Sequence, residues 1–209
     1  MLLRSSQDNY LILSRGSPRS IVLGISGKPE EHLHLDQIQK DRIPTIRRFS
    51  GGGTVIVDEN TLFITFIISD AVSIPHFPEP ILRWGEELFA KSWNIPGFRL
   101  IENDYVIGDK KCGGNAQYIQ RSRWLHHTSF LWDYHIDNMN YLRLPPKRPL
   151  YRQSRSHADF LCKLKHYAPS KEWLFERLIA TVGHKHQISS LKWEEIEWKP
   201  HRKSVHLIA

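Results

Sequence analysis

A chain of 209 residues, 40% hydrophobic and 24% charged, is long enough to bury a substantial core and has the balance of an ordinary globular protein, which excludes disordered and fibrous classes. The formal charge of +7 and a sequence pI near 9.5 suit an anionic partner, such as a nucleotide, nucleic acid or an acidic protein, and say nothing of the fold. No apolar run is long enough to cross a bilayer, and the first 16 residues lack signal-peptide architecture; Cys112 and Cys162, far apart and without metal-ligand spacing, fit a reducing compartment.

In chain order, Tyr10-Leu13 and Ser20-Leu23 read as a hairpin around Arg15-Gly16-Ser17-Pro18. Lys28-Pro29-Glu30-Glu31 opens a helix, with proline early and acids in the first turn, that runs to Arg42 and stops before Pro44. Thr45-Arg48 and Thr54-Asp58 read as strands joined by a glycine turn, and Leu62-Ile68 as a strand buried on both faces. After a proline-rich loop, Ile81-Trp93 has helical apolar spacing, with Gly85 a weak point and Asn94-Gly97 as its end. Strands follow at Phe98-Ile101, Tyr105-Ile107, Cys112-Gln120 and Trp124-Asp133, then one helical turn at Asp137-Leu142 and a break at Pro145-Pro146. Ser156-Lys165 and Ser170-Val182 read as helices, the second with Ser170 as N-cap, and Ile188-Trp193 as a last strand before a polar, basic tail. Trp84, Trp93 and Trp173 fall at inward helix positions, while Trp193 and Trp198 could cover a groove. Strands in the middle with helices around them give an α+β class, with a mixed or antiparallel central sheet in one domain over 1–209. Residues 155–209 form at most a small helical extension of it.

Two stretches concentrate chemistry. In Arg47-Arg48-Phe49-Ser50-Gly51-Gly52-Gly53-Thr54, three glycines let main-chain N–H groups turn towards an anion, and Arg48 can contact phosphate or carboxylate in bidentate fashion. A tight turn that carries arginines is the plainer reading of the same residues. In Asn103-Asp104-Tyr105-Val106-Ile107-Gly108-Asp109-Lys110-Lys111-Cys112-Gly113-Gly114, a lysine leads into small residues that would not obstruct an acyl phosphate or carboxylate laid along its ammonium. Downstream, His126 and His127 lie on a strand whose period of two sends them to opposite faces, which argues against a shared metal.

RRFSGGGTVIVD, NDYVIGDKKCGGNAQ and LHHTSFL, in this order and spacing, resemble the lipoate-protein ligases of the biotin/lipoate A/B ligase group over roughly residues 20–135, with a weaker echo to about 165. The resemblance implies a class II synthetase-like catalytic domain with a bent sheet. It also implies a two-step reaction, in which ATP activates lipoate or octanoate as an acyl-adenylate and the acyl group then passes to a lysine of a lipoyl carrier domain. On that likeness Lys111 holds the activated carbonyl and α-phosphate, and Arg48 contacts phosphate. Ser50, Gly51, Gly52, Gly53, Thr54, Val55 and Ile56 line the lipoyl-AMP. Asn103 and Asp104 serve the nucleotide, with Asp104 towards Mg²⁺. Gly113, Gly114 and Ala116 leave room for the acyl chain, and His127 stands beside the pocket. The implied partners are an acidic carrier domain of 2-oxoacid dehydrogenase complexes or glycine cleavage H protein, with neither a membrane nor nucleic acid. The implied compartment is the cytoplasm, or an organelle if a leader has been lost.

Several features depart from that pattern. Val57-Asp58 and Asn60-Thr61 stand where many members carry His-Asp and Gly-Asn, which changes the pocket wall. An accessory C-terminal domain is missing or replaced by Ser156–Ala209, so transfer of a preformed adenylate, with a separate subunit for its synthesis, is a second reading. An ATP-independent octanoyl or lipoyl transferase is a third: Arg99-Leu100-Ile101-Glu102 lacks the expected cysteine, which leaves Cys112, read as a buried hydrophobe, to carry a thioester. Biotin ligation fits less well, because the loop lacks the glycine- and arginine-rich form of those enzymes. From another class, Lys147-Arg148-Pro149-Leu150-Tyr151-Arg152-Gln153-Ser154-Arg155 interleaves an aromatic with cations and suits single-stranded nucleic acid or, better, docking of an acidic carrier domain.

Overall fold

The computed structural model describes residues 2–69, 72–145, 147–196 and 205–208; Pro146 and Trp198 lie outside them. A short helix, α1 (Leu2–Ser5), precedes β1 (Tyr10–Arg15) and β2 (Ser20–Leu23). Two short helices follow, α2 (Pro29–His32) and α3 (Leu35–Lys40), then β3 (Thr45–Arg47), β4 (Val55–Val57) and β5 (Thr61–Ser69). Helix α4 (Pro78–Trp93) leads to β6 (Phe98–Ile101), β7 (Asp104–Ile107), β8 (Lys110–Ile119) and β9 (Arg123–Leu131). Beyond a 3₁₀ turn at Ile136–Tyr141 come α5 (His157–Phe160), α6 (Lys171–Gly183) and β10 (His206–Leu207).

The expected α+β class holds, but the strands form two sheets. Six run antiparallel in the order β1-β5-β9-β8-β7-β6, and four are mixed in the order β10-β3-β2-β4. The expected hairpin at 10–23 therefore does not form. Gly16, at φ +76, turns the chain while its N–H and that of Ser17 bond to Thr61 and Asp58 carbonyls, so β1 joins β5 and β2 enters the other sheet. Likewise β3 and β4 are not neighbours, because β2 lies between them, parallel to one and antiparallel to the other. The glycine segment is a crossover over the end of β2. It passes so close that a Cβ on Gly24 would stand 2.2 Å from the Gly52 carbonyl oxygen.

Other elements shift for similar reasons. The helix expected over 28–42 breaks at Leu33-His34, where Leu33 bridges Leu142 and the His34 N–H bonds to Tyr141 O. The helix expected over 156–165 stops after one turn, capped by Ser156, because Leu161 bridges Lys111 and the Cys162 N–H bonds to Lys111 O. Residues 188–192 form no strand. His206 and Leu207 instead pair with Arg47 and Ile46.

The main core lies between the six-stranded sheet and α4 with α6. Phe89, Trp93, Tyr105 and Phe130 pack with centroids 4.8–5.8 Å apart, and the Trp93 indole donates to Leu174 O at 3.0 Å. Trp84 and Trp173 are half-buried against it. Gly85, costly in a helix, is required here: a Cβ would lie 2.1 Å from the Tyr105 hydroxyl, which donates to Leu82 O and meets His126 Nε2 at 3.1 Å.

Candidate active site

Lys111 faces the open side of the sheet because β8 carries a bulge. Tyr105 pairs with Gly113 but Val106 pairs with Lys111, so Cys112 is the extra residue. One added residue reverses the side-chain alternation and brings Lys111 onto the face of Gly114, where a Cβ would meet Lys111 Cε and Nζ at 3.4 Å. Lys111 Nζ pairs with Asp104 Oδ1 at 2.7 Å, and the Tyr151 hydroxyl donates to Asp104 Oδ2 at 2.9 Å. Burial pushes the Tyr151 phenol well up, with Asp104 beside it adding to the effect, so it stays protonated and donates.

Lys111 and Asp104 open onto a cleft of about 670 Å³, within the usual ligand range. Gly52, Gly53, Thr54, Val55 and Ile56 line the same cleft, as do Arg48, Asn103, Gly114, Ala116 and His127. Ser50 and Gly51 do not. Ser50 is buried and its carbonyl accepts from Ile25 N, while Gly51 offers its carbonyl to Arg48. Gly113 also lies away from the cleft, which corrects the role expected for it. A Cβ there would stand 2.7 Å from the Phe130 ring, so the glycine is needed by the core and leaves no room for an acyl chain.

Arg48 is committed to the loop: its Nη2 donates to Gly51 O at 2.9 Å and to Gly53 O at 2.8 Å. The guanidinium thus braces the glycine crossover, and Gly52 takes φ +107 beneath it. Thr54 Oγ1 is buried on the cleft wall without a hydrogen-bond partner. His127 stacks on Phe63 at 5.7 Å and its Nδ1 meets Thr65 Oγ1 at 2.7 Å. Burial, with the Arg48 charge, lowers its pKa to about 4, so the imidazole is neutral near pH 7. His126 points into the core, and burial takes it to about 3.

Asp104 Oδ1 accepts from Lys111 and Oδ2 from Tyr151, and among the described residues no three His, Cys, Asp or Glu side chains gather as a metal site, so Asp104 stands at the cleft as a single carboxylate. Cys112 is wholly buried, its Sγ donates to Tyr105 O at 3.4 Å, and burial pushes its thiol well up, so it lacks the exposure and the acidity of a thioester nucleophile.

The basic strip at 147–155 also differs from its expected surface role. Tyr151 is half-buried, packs on Phe160 at 5.1 Å and places its hydroxyl on Asp104. Arg152 is 4% exposed, and Arg155 is held by Asp109 Oδ2 at 3.0 Å and Tyr151 O at 2.6 Å. Lys147 and Arg148 remain exposed at the cleft. Tyr151, Arg152 and Asn115 are thus site residues that motif reading missed. Asn115 Nδ2 donates to Asn103 O at 3.0 Å and its Oδ1 accepts from Thr128 Oγ1 at 2.6 Å, which fixes β8 to the turn before β7. The signal for Tyr151 and Arg152 was the aromatic-cation strip itself, whose burial needs the fold to be known.

Comparison with known proteins adds the family. The family model for the lipoyl protein ligase A/B catalytic domain matches residues 1–184. Inactive lipoate-protein ligase 2 of Plasmodium falciparum is 30% identical over 205 residues, covering 78% of this chain and 51% of its own. Lipoate-protein ligase LplJ of Bacillus subtilis is 28% identical over 137 residues, covering 64% and 40%. The chain spans about half the length of these curated relatives. A crystal structure of lipoate-protein ligase A bound with ATP superposes with a TM-score of 0.74 at 21% identity, over 93% of this chain and 82% of that one, which shows a shared fold. On the match over residues 1–184, the chain belongs to the lipoyl protein ligase A/B catalytic domain family.

Proposed function

We propose that this chain catalyses lipoyl transfer by the acyl-adenylate route, taking lipoate or octanoate and ATP to an acyl-AMP and passing the acyl group to a carrier-domain lysine. The observation that carries this reading is the opening of the Lys111 ammonium, braced by Asp104, onto the cleft lined by Gly52–Ile56. Carboxylate attack on the α-phosphorus builds negative charge in line, and fixed cations and amides stabilise that charge without reorganising. Lys111 lies along the carbonyl and phosphoryl oxygens. Gly53 and Thr54 face the nucleotide through main chain, and the unpartnered Thr54 hydroxyl takes a ligand hydrogen bond. The acyl chain runs along Phe63, Leu131, Met139 and Leu161, which line the same cleft. Neutral His127 fits that apolar wall.

Asp104, beside Lys111, is the carboxylate that would face Mg²⁺, which would neutralise phosphate charge when bound with the nucleotide. An acidic lipoyl carrier domain would dock near Lys147 and Arg148, exposed beside the cleft. In a second reading this chain transfers a preformed lipoyl-AMP and another subunit makes it. Incubation with ATP, Mg²⁺ and lipoate, followed by mass spectrometry for bound lipoyl-AMP and for acylated carrier domain, separates the two. Acylation from added lipoyl-AMP alone selects the second reading. Acylation from neither sinks both.

A further inference from the structure

Lys111, Arg48 and Arg152 line the cleft together, and the first two are already engaged: Lys111 pairs with Asp104, and Arg48 binds the Gly51 and Gly53 carbonyls. Arg152 is 4% exposed, and its Nη2 has no hydrogen-bond partner. Its Nε donates to Arg155 O at 3.3 Å, and the guanidinium sits over the Phe160 ring at 4.6 Å. The carboxylate that could neutralise it, Asp104, has both oxygens committed to Lys111 and Tyr151.

A buried cation without an anion is costly, because desolvation is not repaid by pairing. Arg123 also has buried guanidinium nitrogens without partners, but it does not line the cleft. Arg152 does. The segment that carries it is fixed from both ends, by the Tyr151 hydroxyl on Asp104 and by Arg155 on Asp109 and the Tyr151 carbonyl. The guanidinium is therefore held in place at the cleft that Lys111 also lines before any ligand arrives.

We infer that Arg152 is a substrate-contacting residue whose guanidinium takes a phosphoryl oxygen of the acyl-adenylate. This rests on the acyl-adenylate reading and adds to it a cation that motif reading placed on a docking surface. The phosphoryl group keeps one negative charge in the mixed anhydride, while the carboxylate has lost its own in forming the bond to phosphorus. Arg152 supplies the donors that match that remaining charge.

The test is calorimetric binding to a ketophosphonate analogue of lipoyl-AMP, which keeps the phosphoryl oxygens, with lipoate alone as the control ligand. For Arg152→Gln the expected result is about 10- to 100-fold weaker binding of the analogue, the usual size for a lost charge-assisted hydrogen bond. Lipoate binding stays within threefold, and the melting temperature of the free protein does not fall. Analogue binding within threefold of wild type overturns the inference, as does an equal loss for lipoate, which marks a merely structural role. If the wild-type protein does not bind the analogue, it is the acyl-adenylate reading itself that fails. Should Arg152→Gln not fold, a crystal structure of the wild-type complex decides: a guanidinium nitrogen within about 3.2 Å of a phosphoryl oxygen supports the assignment, and any longer separation overturns it.

Discussion

The Tyr151 hydroxyl and the Asp104 carboxylate, 47 positions apart in the chain, meet at 2.9 Å, and the other oxygen of that carboxylate holds Lys111 at 2.7 Å. One buried acid thus ties the segment after the six-stranded sheet to the lysine that the proposed chemistry depends on. A carboxylate held from both sides cannot swing, and neither can the ammonium that leans on it.

Tyr151→Phe is expected to act on position and leave substrate affinity alone. It leaves Asp104 Oδ2 without a partner, at a cost of about 1–3 kcal/mol in stability, and loosens the Lys111 ammonium. Turnover should fall by up to about 100-fold with KM for lipoate little changed, since misplacement of a reacting group weighs on the transition state. Steady-state kinetics alongside urea denaturation check both halves. Unchanged turnover would show that Asp104 positions Lys111 unaided.

Lys111→Ala removes the ammonium itself. Acylation should drop by about 10²–10³, the usual loss for one preorganised electrostatic donor, with the far-ultraviolet circular dichroism unaltered. The lipoyl-lysine mass shift on a carrier domain reads the result, and near-normal modification would be incompatible with the role given to this residue.

Neighbouring glycines should part company. Gly113→Ala puts a Cβ 2.7 Å from the Phe130 ring inside the core, and overpacking of this kind costs about 1–3 kcal/mol. Gly114→Ala meets Lys111 Cε and Nζ at 3.4 Å and Ser129 Oγ at 3.9 Å, so it should fold as well as wild type and lose activity. Melting temperatures and acylation rates of the two variants form the comparison. A stable Gly113→Ala protein would mean that the bulge at Cys112 does not set the faces as described.

The motifs carried much of the site, because the glycine crossover and the lysine bulge depend on local backbone freedom that the sequence spells out. Strand pairing is different. Whether Ser20–Leu23 pairs with Tyr10–Leu13 or with Thr45–Arg47 turns on which distant edge is free, and apolar alternation is the same in both cases. The one-turn α5 was hidden for a like reason, since 156–165 has acceptable helical composition until Lys111 offers Leu161 and Cys162 a strand edge. Tyr151 and Arg152 read as surface because aromatic and cationic residues in a proline-rich loop usually are. Only Asp104 and Phe160, brought close by the fold, show them turned inward.

Acid should destabilise the fold through histidines that burial keeps neutral. His126 is fully buried against the Tyr105 hydroxyl with its pKa lowered to about 3, and His127 stands at about 4, whereas in the unfolded chain both titrate near 6.5. Between about pH 4 and 6.5 the unfolded chain therefore binds protons that the folded protein does not, so unfolding free energy rises with pH through this window and levels above it. His157, at about 4 through burial and then the Arg152 and Lys111 charges, is half-buried and adds in the same direction. Urea denaturation at stepped pH values should give a slope that His127→Gln reduces by about one proton near pH 5. A slope untouched by that substitution would mean that His127 is already protonated in the folded protein, at odds with its place between Phe63, Thr65 and the Arg48 guanidinium.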